Sequence, residues 1–191
     1  MPGTSTDALA SAVEQLTRRS DDGELRRAVA TWELPVTAGV SGRPGVGKSA
    51  LVQQLDDMHE VHGVDTPGAA DPVLDQDVLV HVVARTVTPA DRRALSSRAG
   101  LDTLVVAGRL DLEADPRAYV ASLSVDVSVV PADDVTAVRH WCVDARESAR
   151  RRRDATLLRD LERVAAARPD TRPAVETFLR STAASTVRNG S

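Results

Sequence analysis

Gly42-Arg43-Pro44-Gly45-Val46-Gly47-Lys48-Ser49 carries the strongest structural signal in the chain. Its three glycines let the backbone curl so that successive N–H groups face one point. The spacing is G-x-x-x-x-G-K-[ST], in which Lys48 reaches β- and γ-phosphates and the Ser49 hydroxyl ligates magnesium. The flanks support that reading. Pro35-Val36-Thr37-Ala38-Gly39-Val40 reads as a short buried strand, and Leu51, Val52, Leu55 and Met58 recur on one face of a helix that begins in the loop. The positive end of that helix also points at the anion. Lys48 is the only lysine in the chain, so a compact ammonium stands at the one position where phosphate chemistry uses it.

The composition agrees with a layered α/β domain. The chain has 191 residues, 42% of them hydrophobic, yet its only aromatic residues are Trp32, Tyr119, Trp141 and Phe178. The core must then be Val, Leu and Ala, which suits a parallel sheet covered by helices. A net charge of −4 gives no global field that attracts nucleic acid. The single cysteine, Cys142, excludes an internal disulfide. No apolar run approaches the ~18 residues of a membrane span, and Met1 to Asp7 lacks the basic start and apolar stretch of a leader. The location these features lead one to expect is the cytoplasm.

Residues 1–6 read as disordered. A helix is expected from Asp7, carrying Leu9, Val13 and Leu16, with Thr6 or Asp7 as its cap, and a second from Glu24 to Trp32. Their default role is packing against the sheet edge. After the loop helix, strands are expected at Val61–Val64, Val78–Ala84, Leu101–Ala107 and Val125–Val130, with helices over Pro89–Ala99 and Pro116–Leu123. A long helix runs from Asp133 past Trp141 and keeps an apolar stripe through Leu157, Leu158, Leu161, Val164 and Ala165. Pro169 and Pro173 interrupt it, a last helix holds Val175, Phe178 and Leu179, and the tail from Ser181 reads as disordered. Strands and helices alternate, so the expected fold is a layered α/β domain with a parallel sheet. Residues 1–34 and 151–191 are helical extensions around a nucleotide-binding domain at 35–150. Ligands belong beyond the carboxyl ends of the strands.

Asp65-Thr66-Pro67-Gly68 falls where a second phosphate-site motif belongs. A carboxylate at a strand end holds magnesium, and a glycine three residues later brings its N–H to the γ-phosphate. The set GRPGVGKS, DTPG and VVAGRLDL resembles a translation-factor-class, phosphate-loop GTPase, most similar to the Era, TrmE and Der group, whose loop reads GRPNVGKS. The resemblance covers about Val36 to Asp134. It implies a compact, three-layer version of the GTPase fold, with five parallel strands in the order of those at 61, 36, 78, 101 and 125 and helices on both faces. It implies GTP or GDP with Mg2+ as cofactors. The nucleotide contacts it implies are Gly42, Arg43, Pro44, Gly45, Val46, Gly47, Lys48, Ser49 and Ala50, with Gly68 at the γ-phosphate; Lys48 is the catalytic cation, and Ser49 and Asp65 are the metal ligands. The family reads guanine with Asn-Lys-x-Asp; the aligned residues here are Gly108, Arg109, Leu110 and Asp111. Asp111 accepts from the base, Arg109 lies over it, and Ala132 supplies a backbone N–H.

The chain departs from that family in ways that bear on mechanism. Only 16 residues (49–64) separate Lys48 from Asp65, near the minimum for a parallel crossover, so the family's first switch loop and its extra strand are missing. No threonine occurs between residues 49 and 65 to serve as switch ligand. Gly45 replaces the family's potassium-binding Asn, and Ala69 stands where many relatives carry Gln. Arg43, Arg85, Arg92 and Arg93 are surface arginines with an arginine-finger role as the alternative. Arg150–Arg153 reads as a solvated helix face, with an acidic protein, nucleic acid or anionic membrane surface as the alternative partner. His81 reads as a core histidine. The expectation is a guanine-nucleotide-binding protein with slow hydrolysis, acting as a switch or beside a protein partner. The alternatives are a degenerate GTPase-like domain used as a protein-interaction module, and a small phosphate-loop ATPase or kinase.

Overall fold

The computed structural model describes residues 4–68 and 70–190. Residues 1–3, Ala69 and Ser191 lie outside the described residues, and with them the disorder expected of residues 1–3 and Ser191 and the reading of Ala69 against the family's Gln. The chain divides into two compact units, Val36–Ala149 and the pair of segments Met1–Pro35 and Arg150–Ser191.

The middle unit is an α/β fold on an all-parallel sheet. Its strands are β1 (Ala38–Gly42), β2 (His59–Glu60), β3 (Val78–Val83), β4 (Asp102–Ala107) and β5 (Val129–Pro131). Their order is β2-β1-β3-β4-β5, as expected from the sequence. The register pairs Val40 with Glu60 and with Val80, Val80 with Leu104, and Val106 with Val130. Every residue of β3 is buried, which explains why its run does not alternate and is apolar but for His81. Side chains alternate across the sheet. One face, with Val40, Val78, Val80, Leu104 and Val106, packs on Leu51, Leu55 and Met58 and on Val138, Cys142, Ala145 and Ala149. The other, with Val83, Val105 and Ala107, packs on Tyr119, Leu123 and Leu95.

The helices of this unit are α3 (Lys48–Val52), α4 (Pro89–Ser96), α5 (Pro116–Ser122) and the start of α6 (Val135–Ala167). Three elements differ from the sequence reading. The loop helix stops at Val52 instead of reaching Met58, because the short crossover leaves residues 53–58 to turn back to β2. That turn has Asp57 in the left-handed region, at φ 55°, and its carbonyls are satisfied from α6. Arg139 donates to Gln54 at 2.6 and 3.0 Å, and Arg146 donates to Asp56 and Asp57 at 3.0 Å each. The second strand lies at His59–Glu60, not at Val61–Val64. The last strand is confined to Val129–Pro131, the stretch that β4 reaches.

The other unit is helical. It holds α1 (Thr4–Arg19), α2 (Gly23–Glu33), the α6 residues from Arg150 onward, α7 (Arg172–Leu179) and α8 (Thr182–Asn189). Leu9, Val13, Leu16, Leu25 and Val29 share one core with Leu157, Leu158, Leu161, Val164, Val175, Phe178 and Ala184. The two terminal segments thus pack on each other. α1 begins at Thr4, so neither Thr6 nor Asp7 caps it. The tail read as disordered contains α8. Ser181 caps it by accepting from the Ala184 N–H at 3.3 Å, and Ala184 is fully buried. No described helix is long and apolar enough to cross a membrane.

Inside this unit the Trp32 indole N–H donates to Asp154 at 2.7 Å. Burial raises the Asp154 carboxyl above its ordinary value, and the Trp32 hydrogen bond opposes the rise. A raised carboxyl binds its proton more tightly folded than unfolded, so it weakens the fold increasingly as pH rises past the unfolded value of 3.8. Asp154→Asn keeps an acceptor for Trp32 without the charge. Thermal melts are expected to show the variant more stable at pH 7, with the gain vanishing below pH 3.8.

Candidate functional site

The Gly42–Ser49 loop leaves the carboxyl end of β1 and enters α3, and its path requires glycine. Gly42, Gly45 and Gly47 have φ of 141°, 78° and 101°, in the region that favours residues without a Cβ. A Cβ on Gly42 would stand 2.4 Å from the Val82 carbonyl oxygen. A second close approach holds the loop from the other side, since a Cβ on Gly108 would stand 2.4 Å from the Val46 carbonyl oxygen. The Asn of the resembled family has no room here, which gives Gly108 a positive reason to be glycine.

A cavity of about 410 Å³ opens on this loop. Of the residues singled out from sequence, Gly42, Pro44, Gly45, Gly47, Lys48, Ser49, Ala50 and Arg109 line it. Its remaining walls are Glu60, His62, Gly63 and Thr66. Lys48, only 7% exposed, donates to the Arg43 carbonyl at 2.9 Å and lies 3.6 Å from a Glu60 carboxylate oxygen. The Ser49 hydroxyl donates to the other Glu60 oxygen at 2.7 Å. That bond, with Lys48 and His62 beside it, holds the Glu60 carboxyl below its ordinary value despite partial burial, so it is ionised at neutral pH. His62 Nδ1 lies 3.4 Å from Glu60. Arg109, left-handed at φ 55°, donates to the Gly45 carbonyl and pairs with Asp111, each at 3.4 Å.

Other candidates stand elsewhere. Val46 is buried in the core and presents no side chain to the cavity. Asp65 is exposed and left-handed at φ 55°, its N–H donates to Asp71 at 3.1 Å, and it is not part of the cavity wall. Gly68 and Asp111 are not part of it either. The Ala132 N–H is committed to the Ala107 carbonyl at 2.9 Å, an extension of the β4–β5 pairing, so it is not a free donor for a base. Arg93 is paired with Asp71 at 3.1 Å. Among the described residues no group of three or more His, Cys, Asp or Glu forms a metal cage.

The Arg43 side chain points away from the cavity into a polar chain that the sequence did not reveal. Its Nε donates to Asp91 Oδ2 at 3.2 Å, and Nη2 donates to the Ala84 and Thr86 carbonyls. Asp91 also takes the Thr88 N–H and hydroxyl, both at 2.8 Å, closing the capping box of α4. Its Oδ1 accepts from His81 Nε2 at 3.0 Å, and His81 Nδ1 lies 2.8 Å from the Ser41 hydroxyl. Ser41, His81 and Asp91 have the connectivity of a hydrolytic triad, but each is 0% exposed, so no substrate reaches the serine. The chain is a brace that ties β1, β3, α4 and the loop together. His81 is thus a core histidine, with polar partners.

No family model matches this chain, and searches of curated proteins and of solved structures return no match.

Burial raises the Asp91 carboxyl, and the hydrogen bonds from His81 and Thr88 outweigh it and leave the group below its ordinary value. Asp91→Ala strands the His81 and Arg43 donors, and denaturant unfolding is expected to show a loss of about 3–5 kcal/mol at pH 7. A lowered carboxyl stabilises above the unfolded value of 3.8 and ceases to as pH falls through the folded one. The gap between wild type and variant should therefore narrow in acid.

Proposed function

We propose that the Gly42–Ser49 loop holds the diphosphate of a guanine nucleotide, and that this is a magnesium-dependent, phosphate-loop nucleotide-binding protein that hydrolyses GTP slowly. It acts as a switch or beside a protein partner. The observation that carries this reading is one cavity in which Lys48 and Ser49 stand together over a loop curled through three left-handed glycines. A diphosphate needs a concave backbone, one compact cation and a hydroxyl for its metal, and these are the groups present. The metal fits by the chemistry of the donors: a hydroxyl and a carboxylate are hard oxygen ligands, and magnesium takes few protein ligands beside phosphate oxygens and water. It supplies charge neutralisation on the phosphates.

The residues of this chain then have distinct tasks. Lys48 exchanges the Arg43 carbonyl for a phosphate oxygen by moving only its flexible stem. Arg109, anchored on Gly45 at the cavity wall, lies over the base as a guanidinium on a π face. Asp111, paired with Arg109, accepts from the guanine edge. Slow hydrolysis follows from the wall composition. Among the described residues it holds no glutamine, and Arg109 is its only arginine, so nothing typical orients the attacking water or stabilises the spread charge.

Calorimetry with GDP, GTP and ADP in magnesium tests the reading. Both guanine nucleotides are expected to bind, ADP at least tenfold more weakly, and Lys48→Ala to lose at least tenfold in affinity for GDP. Absence of guanine-nucleotide binding, or preference for ADP, overturns it.

A further inference from the structure

We infer that Glu60, not Asp65, is the carboxylate through which this protein couples nucleotide binding to magnesium. The inference rests on the nucleotide reading above and concerns the same cavity.

β2 is only two residues long, and its pairing with β1 is parallel, with Glu60 opposite Val40. That register carries Glu60 to the same end of the sheet as the loop leaving β1. The outcome is specific at both oxygens: one accepts from Ser49 at 2.7 Å and the other lies 3.6 Å from the Lys48 ammonium. Its side chain is 19% exposed, so the charge is held partly out of water but open to the cavity. Asp65 has none of these contacts, for its backbone turns left-handed and its side chain is exposed outside the cavity wall.

Charge decides what such a carboxylate does. A diphosphate entering the cavity meets Lys48, which attracts it, and an ionised Glu60, which repels it at short range through a partly desolvated medium. A divalent cation between phosphate and carboxylate reverses the sign of that second term. The oxygens are spaced for it: adjacent ligands of an octahedral magnesium at 2.0–2.1 Å lie about 2.9 Å apart, and Ser49 Oγ and Glu60 Oε2 are 2.7 Å apart. When Glu60 turns to the metal, Lys48 loses its carboxylate partner and is free for phosphate. Glu60 thus penalises metal-free nucleotide and rewards the metal complex, a task for which Asp65 is out of place.

The test is fluorescence titration of N-methylanthraniloyl-GDP into wild type, Glu60→Gln, Glu60→Asp and Asp65→Asn, each with magnesium and with EDTA. Wild type is expected to gain at least tenfold in affinity from magnesium, within the range seen when a carboxylate supporting a metal is removed. Glu60→Gln is expected to bind more tightly than wild type in EDTA and to gain less than about threefold from magnesium. Glu60→Asp, which keeps the charge, retains part of the gain, and this arm carries the test if the Gln variant melts early by circular dichroism. Asp65→Asn keeps the wild-type gain. A Glu60→Gln protein with the full magnesium gain, or an Asp65→Asn protein without it, overturns the assignment. If wild type binds in neither buffer, the nucleotide reading itself fails, and the assignment with it.

Discussion

The buried Asp91 carboxylate is the interaction on which the shape of the Gly42–Ser49 loop depends. It accepts from the Thr88 cap of α4, from His81 on β3 and from Arg43 inside the loop, and His81 in turn reaches Ser41 on β1. A carboxylate with no exposed surface persists only when its acceptor sites are filled. Filling them fixes where the loop leaves the sheet. Backbone packing does the rest: the Val82 carbonyl below Gly42 and the Gly108 backbone against the Val46 carbonyl leave no room for side chains. The cavity is therefore shaped before any ligand enters, which is what tight anion binding requires.

The short crossover between loop and β2 has the next largest consequence. It truncates α3 to five residues, forces a left-handed turn at Asp57, and makes the second strand barely a strand. The carbonyls of the turn that follows, at Gln54, Asp56 and Asp57, are taken by Arg139 and Arg146 of α6. The same shortness draws Glu60 to the loop, so a structural economy becomes a feature of the proposed site.

Much of the fold was legible in the sequence. Val-rich runs marked β3 and β4 as buried strands, the order of the five followed from the resembled fold, and the stripe from Leu157 to Ala165 does line a core. α8 was not legible, because Thr182–Asn189 is polar apart from its alanines and Val187, and its order comes from the Ser181 cap and the burial of Ala184. In the site, the spacing of the loop announced Lys48 and Ser49, and the structure puts both at one cavity. Glu60 was missed because a hydrophobicity rule looks for apolar runs, and Val61–Val64 offered one; register, not pattern, brings Glu60 beside Ser49. The bonds of Asp91 to His81 and Arg43 span sequence separations of 10 and 48, and no local spacing signals such pairs.

A cavity built as proposed binds guanine nucleotide in preference to others. The most direct measurement is to incubate the purified protein with an equimolar mixture of GTP, GDP, ATP and ADP in magnesium, remove free ligand, and identify by mass what the denatured protein releases. Guanine nucleotide alone is expected. Release of adenine nucleotide, or of none, would contradict that.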